Sequence, residues 1–291
     1  MSDVDVRPLR IYDVAAAQAA AYNALRDAGK NYGWEMPELD DESRQRGQRR
    51  ISHALTHDPE GSFVADRDGE IVGVALATRR GPLWFLSLLA VSTSVQSQGI
   101  GRRLLDASMR TLDGMGALCA SSDPKALRRY RRAGFDLIPA YQATGTIDRS
   151  VIPIADGVRP GSYDDDRDFV EDIAMLQRGA PHGPDLEYFQ TLGNTLFVAD
   201  TSAGRGYVVC VPHGVAVLGA TSPEVAARLM WTAIAEATKP LELMWISHDQ
   251  QWAVDVALDA RLSVRPGGSR CVRSHPGMGP MSPYLPSGVW G

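Results

Sequence analysis

Cysteine is scarce in this chain. Cys119, Cys210 and Cys271 are the only three among 291 residues. They are widely spaced and form no CxxC pair, which argues against a disulfide framework or a zinc site. Cys119 and Cys210 sit in apolar runs and read as small buried hydrophobes. Long apolar runs are also missing. No segment approaches the uninterrupted length of a membrane span, and the opening MSDVDVRPLR has no apolar core of the signal-peptide kind. A cytoplasmic, reducing location without a membrane partner is the expectation. Nor is there a positive excess: 30 Lys and Arg against 35 Asp and Glu give a formal charge of −5. That disfavours a dedicated nucleic-acid binder. What remains is an ordinary globular composition, 44% hydrophobic and 22% charged, with length for two domains.

An internal repeat supplies the organisation. Val6-Arg7-Pro8 is followed by Tyr12-Asp13, and Val158-Arg159-Pro160 by Tyr163-Asp164. Phe63-Val64-Ala65-Asp66 recurs as Phe197-Val198-Ala199-Asp200. In both copies a helix-compatible acidic stretch separates the two signatures, and a glycine-bearing turn with a β-rich run follows, Glu70–Thr78 and Gly206–Val211. The reading is a duplication: residues 1–148, a linker at 149–157 where Pro153 and Gly157 break the pattern, and residues 158–291.

The first copy reads as strand Ser62–Asp66, a tight turn at Asp68-Gly69, strand Glu70–Thr78, and an almost continuous apolar strand Leu83–Val91, the pattern of a strand covered on both faces. Ile100, Leu104, Leu105, Met109 and Leu112 recur at helical spacing. Ala117–Ala120 is a short central strand. Pro124–Ala133 is a helix ended by Gly134, which tolerates the left-handed conformation after a helix. The fold class is α+β: two tandem domains, each a mixed, mostly antiparallel sheet flanked by helices.

Between the buried strand and its helix lies Gln96-Ser97-Gln98-Gly99-Ile100-Gly101. Unpaired N–H groups at a helix start, together with the helix dipole, favour an anion such as a pyrophosphate. Glycine lets a phosphate approach the backbone. No GK[ST] follows, so the loop is not a Walker loop, and it is not the GxGxxG of a dinucleotide fold. Alone, such a junction is equally explained by close packing.

Three features in order make it more specific. Leu89-Ala90-Val91 with Gln96-x-x-Gly99-x-Gly101 resembles motif A of the GNAT (GCN5-related N-acetyltransferase) superfamily, Q/R-x-x-G-x-G/A. The early Arg7-Pro8 resembles that family's first strand. Ala126-Leu127-x-x-Tyr130-x-x-x-Gly134-Phe135 resembles its motif B. The resemblance implies an acetyl-CoA-dependent acyltransferase and spans Val6 to about Thr146. It implies that main-chain groups of Leu89 and Val91 bind the pantetheine arm as an added strand. It implies that the amides of Gln96, Ser97, Gln98, Gly99, Ile100, Gly101 and Arg102 hold the pyrophosphate. Asp123 stands where many relatives have a cofactor-contacting asparagine, with an acceptor kept and the amide donor lost. Tyr130 occupies the position of the tyrosine that protonates the leaving thiolate, a weak acid that adds no charge at neutral pH. Arg128, Arg129, Arg131 and Arg132 read first as a solvated helix face, with the adenosine 3′-phosphate as an alternative.

The general base has no obvious bearer. The family's glutamate position falls near Ser87. Glu35, Glu38, Asp40, Asp41 and His53 lie in the segment that covers the acceptor in relatives, and Trp34 is a candidate wall of its pocket. Acidity at 35–42 hints at a cationic acceptor. No metal is expected, and the partner is a small-molecule or peptide amine, with a monomer or homodimer both open. The second copy reads Ala220-Thr221-Ser222-Pro223-Glu224-Val225 at the loop, without the glycines and with an acid in the first turn. Ala257 falls opposite Tyr130 and Arg261 opposite Gly134. This half is expected to bind no cofactor. Two rivals stay open: an acyl-CoA sensor or scaffold without turnover, and a mycothiol-synthase-like acyltransferase. Residues 279–291 lack charged side chains and carry Tyr284, Leu285, Val289 and Trp290. They are expected to dock near the cleft between domains, with the Gly291 carboxylate as a candidate base.

Overall fold

A computed structural model describes residues 4–32, 36, 38–154, 156–274 and 276–291. The first half runs β1 (Asp5–Pro8), α1 (Val14–Tyr32), α2 (Asp41–His57), β2 (Ser62–Arg67), β3 (Glu70–Arg80), β4 (Leu83–Val91), α3 (Ile100–Ser108), β5 (Met115–Ala120), α4 (Pro124–Arg132) and β6 (Asp136–Gly145). The second runs β7 (Val158–Pro160), α5 (Arg167–Arg178), α6 (Asp185–Thr191), β8 (Thr195–Thr201), β9 (Gly204–Val211), β10 (Gly214–Ala220), α7 (Pro223–Glu236), β11 (Leu241–Ser247), α8 (Gln251–Asp259), β12 (Ser263–Arg273) and β13 (Tyr284–Leu285). The class is α+β with two mostly antiparallel sheets, as the sequence indicates.

Local chemistry accounts for the element ends. Asp68 and Gly69 take φ of 53° and 89°, the pair of positive angles a two-residue hairpin turn demands. Asp40 starts α2 by accepting from the Ser43 amide at 2.7 Å, and Asp123 does the same for α4 from Lys125 at 2.8 Å. Gly134 leaves α4 at φ 91°, and Arg261 leaves α8 at the corresponding point with φ 59°. A non-glycine residue held there shows the repeat imposing its geometry on a sequence that has lost the glycine. The expected helix Ile100–Leu112 is α-helical only to Ser108 and continues as a 3₁₀ turn at Met109–Thr111.

The repeat is visible in the packing. Leu104 of α3 lies against Gly73 of β3, where an added Cβ would approach its Cδ1 to 3.0 Å. Leu229 of α7 lies against Gly206 of β9 in the same way, at 2.6 Å. Gly73 pairs with Val91, and Gly206 pairs with Ala220. The β3–β4 ladder slips at Ser87, and the β9–β10 ladder slips at Ala216, four residues back in both cases. In β1, Arg7 forks onto Asp13 (2.7 and 2.9 Å) and reaches Asp66 at 2.9 Å. In β7, Arg159 forks onto Asp166 at 3.0 and 2.5 Å. The partner is Asp166 rather than the Asp164 of the aligned Tyr-Asp pair, because the loop after β7 is one residue longer.

The larger sheet is ordered β1-β2-β3-β4-β5-β12-β6-β11 and the smaller β13-β10-β9-β8-β7. All neighbours are antiparallel except β4 and β5. A feature the repeat does not disclose is the exchange of strands. β12, from the second half, inserts between β5 and β6 of the first, and β11 extends the same sheet beyond β6. The halves therefore share one hydrogen-bonded surface. Buried charge joins them too: Arg80 of β3 forks onto Asp185 of α6 at 2.8 and 2.6 Å and onto Asp58 at 3.0 and 2.9 Å. Among the described residues no helix is long and apolar enough to cross a membrane.

Candidate active site

The site begins where β4 and β5 part. Their parallel pairing runs from Leu83↔Met115 to Leu86↔Leu118 and stops there. β4 continues to Val91, still paired to β3 on its other side, while β5 turns to β12. The main chain of residues 87–91 thus has a free edge facing the splay. A free edge in a dry cleft is a template for an extended polar chain. The cleft has a volume of about 970 Å³. Its walls are that edge, the start of α3, one face of α4, and Ala24, Leu25 and Ala28 of α1.

At the far end the α3 N-terminus opens into the cleft. Gly99 is its first cap with φ 79°, and no atom lies within 4 Å of where its Cβ would stand. Both facts call for glycine: the angle disfavours a side chain, and the open space would be lost to one. Ser97 shares the left-handed conformation at φ 66°, so consecutive amides curve around one point. Gly101 has another reason. Its Cβ would sit 2.9 Å from the Arg129 guanidinium. Arg129 therefore lies across the helix start. Lys125, Arg128 and Arg132 border the same cleft. Arg128, Arg131 and Arg132 are exposed, in keeping with a solvated face, and Arg131 turns away to Asp136 at 3.2 Å.

Gln96 ties the loop to its surroundings, donating to the Val91 carbonyl at 3.2 Å and accepting from Lys125 at 3.3 Å. Leu89, Val91, Gln96, Ser97, Gly99, Ile100, Gly101, Arg102 and Asp123 all line the cleft, whereas Gln98 does not. The Asp123 carboxylate is already engaged as the α4 cap and as partner of the Tyr32 hydroxyl. Tyr130 is buried, 7% exposed, and its ring borders the cleft. Burial pushes its hydroxyl well above the usual phenol range, so it stays protonated at neutral pH. Cys119 faces the cleft from β5, and burial pushes its thiol up to about 12, which leaves it a poor nucleophile. It is half-buried, lining the cleft rather than filling the core.

A second cavity of about 660 Å³ adjoins the first between the two halves. Arg50, Trp245 and Gly288 border both. Arg50, on α2, donates through Nε and Nη2 to the Ser87 hydroxyl (3.2 and 3.0 Å) and through Nη2 to the Ser87 carbonyl. Ser87 is the residue at which the β3–β4 ladder slips, so its polar groups turn into the cleft instead of pairing. Trp245, from β11, sits at φ 63°, an uncommon angle for a bulky residue. Its ring is accommodated by Gly268 and Gly288, whose Cβ atoms would meet it at 2.9 and 2.8 Å. Arg50 and Trp245 escaped sequence reasoning. Nothing in their neighbours marks them, since the fold joins α2, the β4 bulge and a strand of the other half.

The remaining expected residues go elsewhere. Asp40 caps α2, while Asp41 and Glu42 pair with Arg44 and Arg46 in its first turns. The hint of a cationic acceptor from residues 35–42 is therefore spent within the helix, as far as these residues show. His53 bonds Asp185 at 3.0 Å and packs edge-on to Trp290 and at a tilt to Tyr188, away from the cleft. Trp34 and Glu35 lie outside the described residues. The tail docks between the halves as expected, with Trp290 fully buried. Its last oxygen differs from the expectation: the Gly291 oxygen accepts from Arg178 at 2.9 Å and Tyr284 at 2.8 Å, and Gly291 borders neither cavity. A base at that point has no access to the cleft.

The site is thus a splayed strand edge that runs to a glycine-opened helix start, beside a protonated buried tyrosine. The model of the acetyltransferase (GNAT) family matches residues 22–135. A putative acetyltransferase from Pyrococcus horikoshii has a TM-score of 0.77 at 18% identity, covering 100% of this chain and 97% of that one. A GCN5-related N-acetyltransferase from Sphaerobacter thermophilus has a TM-score of 0.60 at 13% identity, covering 95% and 97%. A tandem GNAT protein from the clavulanic acid biosynthesis pathway has a TM-score of 0.54 at 13% identity, covering 93% and 98%. No curated protein matches. Residues 22–135 thus resemble the GNAT acetyltransferase family, and the whole chain has the tandem GNAT fold.

Proposed function

We propose that the protein transfers an acetyl group from acetyl-CoA to a primary amine by direct attack, with one working site per chain, in the sequence unit 1–148. The observation that carries this reading is the open edge of β4 ending at the α3 N-terminus within a single cleft that also holds Tyr130. The cosubstrate supplies the activated thioester. Residues 96–102 and the basic groups of α4 hold its phosphates, and the free edge at Leu89 and Val91 aligns its arm. The arm runs back along β4 toward the point where the strands close, so the thioester lies near Ser87.

The acceptor nitrogen attacks the thioester carbon, the C–S bond breaks, and the sulfur leaves as thiolate. Tyr130 donates a hydrogen bond, and finally its proton, to that sulfur, and the phenolate regains a proton from solvent once the thiol leaves. The amine loses its proton to solvent in the adjoining cavity or to His213 on its wall, an imidazole kept neutral because burial lowers its pKa. No acyl-cysteine step is needed, and the high pKa of Cys119 disfavours one. The test is titration with acetyl-CoA by calorimetry, followed by a panel of amines scored for free thiol. Binding of one equivalent with amine-dependent thiol release supports transfer. Binding without release from any amine overturns it in favour of a sensor.

A further inference from the structure

The junction between the two cavities carries a charge that the protein does not answer. Arg50 spends Nε and Nη2 on Ser87, and its Nη1 makes no protein hydrogen bond among the described residues. No carboxylate there pairs with it either. Arg80, also drawn into the fold, shows the alternative, with Asp58 and Asp185 forked onto it. Arg50 is half-buried at this junction, and the guanidinium fork it presents to the cavities fits a carboxylate. The acids nearest in sequence are unavailable, since Asp40 caps α2 and Glu42 holds Arg46.

Position fixes where the missing anion belongs. Arg50 borders both cavities at the closed end of the splay. An anion bound there lies beside the nitrogen that must reach the thioester. The adjoining cavity has Tyr188, Phe189, Leu192, Trp245, Val289 and Trp290 on its wall, together with the charged Glu42, Arg46, Glu236 and Glu242. Its volume of about 660 Å³ admits a small molecule rather than a folded chain.

Resting on the transfer reading above, we propose that the acceptor is an α-amino acid with an apolar side chain, or a compound with the same amine–carboxylate pair. Arg50 takes the carboxylate, the amine faces the thioester, and the side chain enters the aromatic cavity. Trp245 is the wall that the second half contributes to this selection.

The probes are L-phenylalanine and L-phenylalaninamide, used on the full chain with acetyl-CoA. The acid is expected to exceed the amide in kcat/KM by about 10²-fold, carried by KM, as loss of a charge-assisted contact implies. Arg50→Met should bring that ratio to about one, and Arg50→Lys should keep part of it. Calorimetry on the CoA-loaded protein supplies a readout apart from turnover: L-phenylalanine should bind at least about 10-fold more weakly to Arg50→Met. Thermal unfolding and acetyl-CoA affinity check that both variants fold. The proposal is overturned if the wild type uses the amide as well as the acid. It is equally overturned if Arg50→Met lowers kcat for both alike, which assigns Arg50 to the thioester carbonyl. A preference for succinyl-CoA over acetyl-CoA that Arg50→Met removes also overturns it, because the anion then sits on the acyl group. Amino-acid binding that depends on Arg50 but yields no thiol sinks transfer and upholds the carboxylate site. Thiol release from the amide alone does the reverse.

Discussion

The two halves build the same frame and treat its open edge in opposite ways. In the first, β4 slips at Ser87, and the main chain beyond faces an empty splay. In the second, β10 slips at the matching Ala216, but its edge is taken: β13 pairs Leu285 with Leu218 and Tyr284 with Gly219, and the Ala220 amide donates to the Pro283 carbonyl at 3.1 Å. These residues correspond to Leu89, Ala90 and Val91. The tail thus lies where the pantetheine arm is proposed to lie in the first half. The helix starts differ in the same sense. α3 opens with glycine, whereas α7 is closed by its own Ser222 cap at 3.3 Å and holds Glu224 paired with Arg228. Ala257, opposite Tyr130, is fully buried and offers no hydroxyl. Under the proposed function, the fold makes a site by leaving two features open, a strand edge and a helix start. Satisfying both internally turns the same frame into support.

The sharpest way to break the comparison is to close the first site as the second is closed. Gly101→Glu places a carboxylate where Gly101 now faces Arg129 and adds negative charge to the helix start. Acetyl-CoA binding should fall by about 10³-fold or more by calorimetry, with the melting transition retained. Wild type should show one site per chain, and two equivalent sites would refute the assignment of the second half as inactive. Next in size is Tyr130→Phe, expected to bind acetyl-CoA normally and to lose about 10²- to 10⁴-fold in kcat. An unchanged kcat would reduce Tyr130 to a packing residue and pass its role to water.

The plug can be tested through stability. Trp290 is fully buried, and Trp290→Ala should cost about 3–5 kcal/mol in urea denaturation. A loss below about 1 kcal/mol would mean that the tail does not hold the second half together. The smallest effect contrasts the two β-strand arginines. Arg7→Met unpairs two carboxylates and should cost about 1–3 kcal/mol. Arg159→Met, whose side chain is 59% exposed, should cost under about 1 kcal/mol. Both carboxylates, Asp13 beside Arg7 and Asp166 beside Arg159, are held below the usual carboxylate range chiefly by the arginine hydrogen bond. A depressed folded-state pKa contributes stability above the ordinary carboxylate pKa, about 4, and that stability is lost as pH falls through and below it. Denaturation midpoints from about pH 6 to pH 3 should therefore drop less steeply in Arg7→Met than in wild type. Identical slopes would leave the pair without a role in acid stability.

Sequence alone determined what depends on local chemistry and on repetition. Apolar continuity marks β4 to the residue, since a strand covered on both faces has no polar alternative. Glycine at 99 and 101 and the Asp68-Gly69 turn are local requirements of backbone angles and orphan amides, whereas the cap roles of Asp40 and Asp123 emerged only in the structure. The duplicated Arg-Pro and Phe-Val-Ala-Asp signatures announced two similar halves. Tertiary structure decided what depends on distant segments meeting. The exchange of β12 into the first sheet leaves no local trace, because any strand with the right faces can pair there. The tail's strand was legible only as an apolar segment in search of cover, not as the occupant of the β10 edge. In the basic run of α4, only the meeting with α3 shows that Arg129 lies across the start of that helix. Arg50 and Trp245 gain their meaning from a bulge and a splay contributed by other elements. A charge without a partner cannot be read from a sequence that contains enough acids to satisfy it. Only the folded chain shows that the acids nearest in sequence, Asp40, Asp41 and Glu42, are engaged within α2.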